Sequence, residues 1–433
     1  MRRAPPRSGG PFRVHDLPDC QQFTGRPSMQ LAHVLRQLTE VDPEAGSIRQ
    51  VWISRQQGAV REALDRLAEI ATRDRSAAEV VRGVLESASP ARAGLALSSP
   101  CCLWGLRQDD WKVARRELAI SAADAVGHAP EQLLPVLERA IDLDDRRLLP
   151  ISGLSLSRAV EPPIGPHPSI RICRGVAIAA GDSLLQSTLV DDHPHLEDPQ
   201  GFGAFCDTLE IAIDQVETAS PGFAGAIRGL LRIVVPMQRA PAGVPSSSSN
   251  SVPGAIWITE DAEPSIIAEQ LVHECTHALL FLCQESDPLL DPTSHGDGWD
   301  GPRVYSPWRD DPRPLAGLLH GAVVFTRVAM FHVARAEACD ISRRRTAALL
   351  PQLEIANELL AEAHLTEAGE ALREALRERL AGLLSAARPL CATSPCYVEC
   401  SSLPRLEGDA WARQAAHRAG ARHRAASSAG TLR

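Results

Sequence analysis

The segment Leu271-Val-His-Glu-Cys-Thr-His-Ala-Leu-Leu280 contains two histidines four residues apart, His273 and His277, with Glu274 between them. On an α-helix this spacing places both imidazoles on one face, about one turn apart. Apolar residues surround the motif on both sides, and Pro264 suits the first turn of a helix. A buried helix that carries His-Glu-x-x-His predicts part of a divalent-metal site.

The motif alone decides neither the metal nor the reaction. Zinc hydrolases use two such histidines and a third protein ligand, leave one position for water, and use the glutamate as general base. Iron(II) oxygenases also need three protein ligands, but they keep the other positions for a co-substrate and dioxygen. The extended zinc-peptidase pattern, with a third histidine six residues after the second, fails because Cys283 occupies that position. Both alternatives therefore need a third ligand from elsewhere in the chain.

A second long apolar run follows a proline-rich loop and contains His320. Pro312 and Pro314 suit only the start of a helix, which predicts that His320 lies about two turns inside a second helix. From there its side chain can point at the first helix. We therefore predict that His320 is the third metal ligand.

Arg313 stands seven residues before His320, and on a helix this spacing returns to the same face about 10 Å away along the axis. A short dicarboxylate could chelate a metal at one end and bind a bidentate arginine at the other over this distance. The spacing predicts Arg313 as the residue that binds such a co-substrate. Arg309 and Arg327 are alternatives for the same role.

Three stretches of the chain resemble the HExxH-motif peptide-modification proteins of ribosomal peptide natural-product pathways. They are Gly254-Ala-Ile-Trp-Ile258, Glu269-Gln-Leu-Val-His-Glu-Cys-Thr-His277 and Ser306-Pro-Trp-Arg-Asp-Asp-Pro-Arg-Pro-x-x-Gly-Leu-Leu-His-Gly321. The resemblance covers about residues 160 to 390, and its last block is the most specific. It implies Fe(II)- and 2-oxoglutarate-dependent hydroxylation of a Cβ in a precursor peptide, outside the usual barrel-shaped oxygenase fold. It also implies that His273, His277 and His320 hold the iron.

Glu274 is the residue that separates the enzymatic alternatives. In a zinc metallopeptidase it would act as the general base, whereas in an oxygenase it suits a hydrogen-bonding role beside the ligands. Glu269 lies one turn before His273 and could orient an imidazole in the same way. Tyr305 and Trp308 could line a peptide-binding groove or simply pack. A non-catalytic binding protein with the same fold is a third class.

The 433 residues are 44% hydrophobic and carry a net charge of −9, which predicts a large core and two or three domains. The sequence has no uncharged apolar run of about 18 residues and no signal-peptide pattern near Met1, so we expect a cytoplasmic protein without membrane spans. The 11 cysteines form no disulfide framework and are expected to be reduced. Arginine supplies all the basic residues except Lys112, and nothing indicates nucleic-acid binding.

These patterns predict an α+β fold that is predominantly helical, with the metal-binding helix pair beside a small sheet. The predicted organisation is a flexible segment over 1–27, a helical region over 28–155, the HExxH domain over 156–400 and a basic, disordered tail over 401–433. We also expect a flexible loop over Ser246–Ser251. Three helices are predicted after the second metal helix, over Ile341–Leu350, Leu353–Ala363 and Leu365–Ala387.

Overall fold

A computed structural model of the chain describes residues 27–40, 45–128, 130–138, 146–149, 154–157, 164–166, 170–173, 176–180, 182, 184–185, 199–238, 246–260, 262–295, 303–309 and 311–391. Within these residues the protein is mostly helical, with a small mixed sheet and no closed barrel. The prediction of a predominantly helical α+β fold is confirmed at this level. The predicted flexible N-terminal segment, apart from Pro27, and the basic tail lie outside the described residues.

The chain divides into two compact units. The described parts of the first belong to Arg49–Ile213 and Gly225–Ala268, and those of the second to Gly25–Ile48, Asp214–Ala224 and Glu269–Arg433. The second unit therefore combines two earlier segments with the C-terminal part of the chain.

Helices make up the N-terminal part of the first unit. Their bounds are α2 Ala45–Arg73, α3 Arg75–Ser87, α4 Pro90–Leu97, α5 Pro100–Leu106, α6 Trp111–Val126 and α7 Leu134–Glu138. Side-chain oxygens of Asp74, Ser89, Ser99 and Asp110 accept backbone hydrogen bonds at the starts of α3 to α6. Leucine, valine and alanine side chains from these helices form one buried core, as their helical spacing predicted.

The first unit also contains short strands. A three-stranded antiparallel sheet contains β1 Arg146–Leu149, β2 Leu154–Ser157 and β3 Ile164–Pro166. A five-stranded mixed sheet contains β4 Ile170–Cys173, β5 Val176–Ala179, β6 Ile233–Met237, β7 Ser246–Ser248 and β8 Ala255–Thr259, in the order β4-β5-β6-β8-β7. Strands β5, β6 and β8 run parallel, and β6 and β8 are buried along their whole length. Burial along the whole strand is typical of parallel strands whose two faces are both covered.

Four of the described helices cross the division between the units, namely α8 Pro199–Ala219, α9 Pro221–Leu230, α10 Pro264–Gln284 and α2, whose first four residues belong to the second unit. The second unit further contains α1 Pro27–Leu38, α11 Pro292–His295, α12 Leu315–Val333, α13 Asp340–Leu360 and α14 Glu367–Cys391, with the short strands β9 Arg303–Val304 and β10 Arg313–Pro314. Helix α12 packs against α13 and α14, and α14 packs against α1. The two predicted metal helices are therefore α10 and α12.

Helices α10 and α12 are long and apolar enough to cross a membrane. Their most apolar windows are, however, 72% and 83% buried within the protein, which is the behaviour of core helices.

Some local predictions are wrong. The end of the predicted helical N-terminal region is strand β1, and the first part of the predicted loop over Ser246–Ser251 is strand β7, which pairs with β8. The first two of the three helices predicted after α12 are one helix, α13, which continues through Pro351. For both strands, pairing with a strand only a few residues further along the chain outweighs the local sequence signal.

Candidate functional site

Helices α10 and α12 bring the three predicted metal-binding histidines together. Nδ1 of His277 lies 3.2 Å from Nδ1 of His320, and the two rings stack with their centroids 5.5 Å apart. The ring of His273 meets that of His277 edge-on, with the centroids 4.9 Å apart. The three rings therefore form one cluster, although metal ligation itself stays a prediction.

The distance between two ring nitrogens suits two of the three ligands. The Nδ1 to Nδ1 distance of 3.2 Å falls between the roughly 3.0 Å and 3.4 Å expected for two atoms each about 2.1 Å from one metal, at octahedral and tetrahedral angles. As the side chains stand, however, no three His, Cys, Asp or Glu residues in the described part of the chain converge on one point. A metal site of three histidines would therefore require the side chains to change their positions.

Burial keeps the three imidazoles uncharged. It lowers the pKa of His273 and of His277 to about 4, and it lowers the pKa of His320 well below its usual value. Neutral imidazole is the form that binds a metal ion. His273 retains 23% side-chain exposure, so the cluster is open to solvent on its side.

Gln284 completes the polar surroundings of the cluster, and sequence reasoning missed it. Its Oε1 lies 2.7 Å from Nε2 of His320. The residue stands seven positions after His277, a spacing that returns to the same helix face, and this signal could have identified it. Phe281 lies between His277 and Gln284 in the sequence. Its ring centroid is 5.1 Å from that of His320 and 6.1 Å from that of His277.

Glu274 is buried beside the cluster. Its Oε1 lies 4.0 Å from Nε2 of His273, and its side chain is only 4% exposed. A carboxylate at this position acts electrostatically on the imidazoles, and its charge partly offsets the lowering of the His277 pKa. Its placement suits either a general base or a hydrogen-bonding partner.

Glu269 orients a histidine, but a different one from the one predicted. Its carboxylate accepts hydrogen bonds from Nε2 of His332 at 2.9 Å and from Nη2 of Arg345 at 2.6 Å. Nδ1 of His332 in turn lies 3.1 Å from the hydroxyl of Ser342. Burial alone would raise the pKa of Glu269, but the hydrogen bond with His332 and the charge of Arg345 lower it to about 2. This network joins α10, α12 and α13.

The arginines predicted to bind a co-substrate lie before α12. Arg313 is in strand β10 and not in the helix, so the helical relation to His320 that suggested it is wrong. The cause is Pro314, which caps α12 and leaves Arg313 to pair with Val304 of β9. Nε of Arg309 and Nε of Arg313 lie 3.0 Å and 3.3 Å from the carboxylate of Asp311.

The alternative that placed the co-substrate at Arg327 is contradicted by its contacts. This side chain is buried and donates hydrogen bonds to the backbone carbonyls of Gln37, Leu38 and Glu40, at and beyond the end of α1. Its guanidinium carbon also lies 4.6 Å from the ring centroid of Phe223. Arg327 therefore caps the C-terminal end of α1, where backbone carbonyls have no partners within the helix.

Aromatic side chains form one wall of the cluster. Trp308 stacks on Phe325 with centroids 4.7 Å apart, and Phe325 meets the ring of His273 edge-on at 5.1 Å. Trp308 also lies against Gly321, the residue after His320. Tyr305, the other aromatic predicted to line a groove, is buried and packs.

No protein-family model matches this chain, and a search of curated proteins finds no significant similarity. The functional assignment therefore depends on the residues of the chain itself.

Gly321→Ala is expected to destabilise the protein by about 1 to 3 kcal/mol, because overpacking a buried contact forces its neighbours to move. A Cβ at this position would lie 2.6 Å from Cζ3 of Trp308. Gly382→Ala is the matched control, since Gly382 is exposed on α14 with open space around it. There alanine should stabilise the helix by up to about 1 kcal/mol. Chemical denaturation followed by circular dichroism measures the free energy of unfolding of both variants. Changes of the same sign in the two variants would contradict the close packing of Gly321 on Trp308.

Proposed function

We propose that this protein is an iron(II)- and 2-oxoglutarate-dependent enzyme that hydroxylates a Cβ position of a ribosomally synthesised precursor peptide. The main support is the cluster of His273, His277 and His320 on α10 and α12, with ring nitrogens of His277 and His320 3.2 Å apart. The block from Ser306 to Gly321, which carries the family resemblance, supplies both His320 and Trp308. These observations favour a metal-dependent oxidation over a binding protein.

The three histidines would hold the metal as neutral imidazoles. Bound iron(II) would supply the dioxygen chemistry that amino-acid side chains lack. The substrate would then reach the site on the partly exposed side of His273. The aromatic pair Trp308 and Phe325 would exclude water from the site. Glu274, which is buried 4.0 Å from His273, would orient that imidazole or a nearby water.

Arg313 is the residue that we propose to bind the far carboxylate of 2-oxoglutarate. Its side chain is 32% exposed, against 56% for Arg309, so its charge is less screened by solvent. We expect Arg313→Ala to weaken 2-oxoglutarate binding about 10- to 100-fold, the usual effect of losing a charge-assisted hydrogen bond, while the metal content stays unchanged. Calorimetric titration measures the affinity for 2-oxoglutarate and the affinity for the metal. Arg309→Ala is the control, and a larger effect there would transfer the role to Arg309.

A zinc metallopeptidase is the second candidate, because Glu274 is buried beside His273 at the position of a general base. Replacing Glu274 with Gln distinguishes the two functions. In a hydrolase this change should reduce the rate by several orders of magnitude, because water loses its proton acceptor. In an oxygenase, replacing a residue beside the metal ligands should lower the metal affinity or the rate by only about 10- to 100-fold.

The experiment uses full-length protein that is reconstituted anaerobically with iron(II) and given 2-oxoglutarate, oxygen and a candidate peptide encoded beside the gene. The expected result is a mass gain of one oxygen on the peptide together with succinate. Glu285→Gln is the matched control for Glu274→Gln, since Glu285 is exposed just after α10. Peptide cleavage that requires zinc and Glu274, with no succinate under iron, would replace the oxygenase by the peptidase.

A further inference from the structure

One face of α10 carries two polar side chains that contact His320, those of His277 and Gln284. His273, His277, Phe281 and Gln284 follow at intervals of four, four and three residues, so they lie in one row along the helix. His320 of α12 faces the C-terminal end of this row. Its two ring nitrogens contact different members, Nδ1 to His277 at 3.2 Å and Nε2 to Gln284 at 2.7 Å.

The contact with Gln284 fixes which nitrogen of His320 carries a hydrogen. Oε1 of the amide has lone pairs and no hydrogen, so Nε2 of His320 must be the donor. A neutral imidazole with its hydrogen on Nε2 has its lone pair on Nδ1. This lone pair lies on the side of the ring that faces Nδ1 of His277.

We propose that Gln284 is a positioning residue, which holds Nε2–H of His320 and thereby directs the Nδ1 lone pair toward His277 as a metal-binding atom. Metal-binding histidines commonly donate their other ring N–H to an oxygen, which fixes the tautomer and raises the basicity of the ligand. The inference depends on the metal site of the proposed function. It adds that His320 binds through Nδ1 and that an amide from the first metal helix controls it.

Cobalt(II) binding tests this role without any catalytic turnover. Gln284→Leu keeps the size of the side chain and removes the acceptor, whereas Gln284→Glu keeps an acceptor oxygen. We expect Gln284→Leu to lower the cobalt(II) affinity about 10- to 100-fold and to change the visible cobalt spectrum, with Gln284→Glu close to wild type. Gln352→Leu is the matched control, because Gln352 donates to the carbonyl of Pro307 and not to an imidazole.

The proposal is overturned if Gln284→Leu binds cobalt(II) like wild type, or if Gln352→Leu weakens binding equally. Nitrogen NMR of the metal-free protein gives a second and separate readout. We expect His320 to carry its hydrogen on Nε2 in wild type and to lose this preference in Gln284→Leu. Hydrogen on Nδ1 in wild type would overturn the role of Gln284, whereas a wild type that binds no cobalt(II) while keeping Nε2–H would overturn the proposed metal site.

Discussion

His320→Ala is expected to reduce metal binding by more than about 100-fold, so that the purified protein no longer retains an ion. Loss of a ligand should exceed the 10- to 100-fold effect of losing a group that only supports one. The partner ring of His277, 3.2 Å from His320, would also lose its contact. Competition with a chromophoric chelator for zinc, and anaerobic titration with iron(II), measure the affinity.

His332→Ala is the matched control for this experiment. His332 is as buried as His320 and lies on the same helix, but it is held by Glu269 and Ser342. Its loss should lower stability and leave metal binding within about 10-fold of wild type, the lower end of the effect of a supporting group. If His320→Ala retains the wild-type affinity, or if both variants lose metal equally, His320 is not a ligand.

Replacing Arg327 with Met is expected to lower the free energy of unfolding by about 3 to 5 kcal/mol, the usual cost of breaking a buried charged network. Methionine fills most of the same space but removes the guanidinium donor from the carbonyls of Gln37, Leu38 and Glu40, although the Gln37 carbonyl also accepts from the backbone N–H of Glu40. The contact of the guanidinium with Phe223 is lost as well. Guanidinium chloride denaturation followed by circular dichroism gives the free energy of unfolding.

Two further variants separate the contributions. Arg327→Lys keeps the charge but not the planar fork, so we expect a loss between those of the wild type and the methionine variant. Arg344→Ala removes an arginine that is 72% exposed and paired with Asp340. We expect this change to lower the free energy of unfolding by less than about 1 kcal/mol. An Arg327→Met protein as stable as Arg344→Ala would show that the hydrogen bonds to α1 contribute little.

Local sequence patterns predicted the helices of the site well. The apolar spacing around His273 and the proline at 314 sufficed to predict α10 and α12, because both signals act within a few residues. The sequence also predicted that His273, His277 and His320 would lie together, as they do. A histidine side chain in an apolar helix has few polar groups within reach.

Side-chain partners were harder to predict. Arg327 binds carbonyls 287 residues earlier in the chain, and no local periodicity reports such a contact. Arg313 was placed in a helix because the pairing of β10 with β9 depends on a second short segment. Gln284 has the spacing of the histidine row, but only the position of His320 relative to that row shows what it binds.

The cap on α1 also has a consequence for how the chain is made. Helix α1 carries the buried residues Leu35 and Leu38, while Arg327, which binds carbonyls at and beyond its C-terminal end, follows 287 to 290 residues later. At the usual 5 to 20 residues per second, synthesis of that interval takes about 15 to 60 s. Over that time α1 lacks the helix α14 against which it packs, so the nascent chain exposes an apolar segment. The second unit therefore completes its core only after α12 has been synthesised.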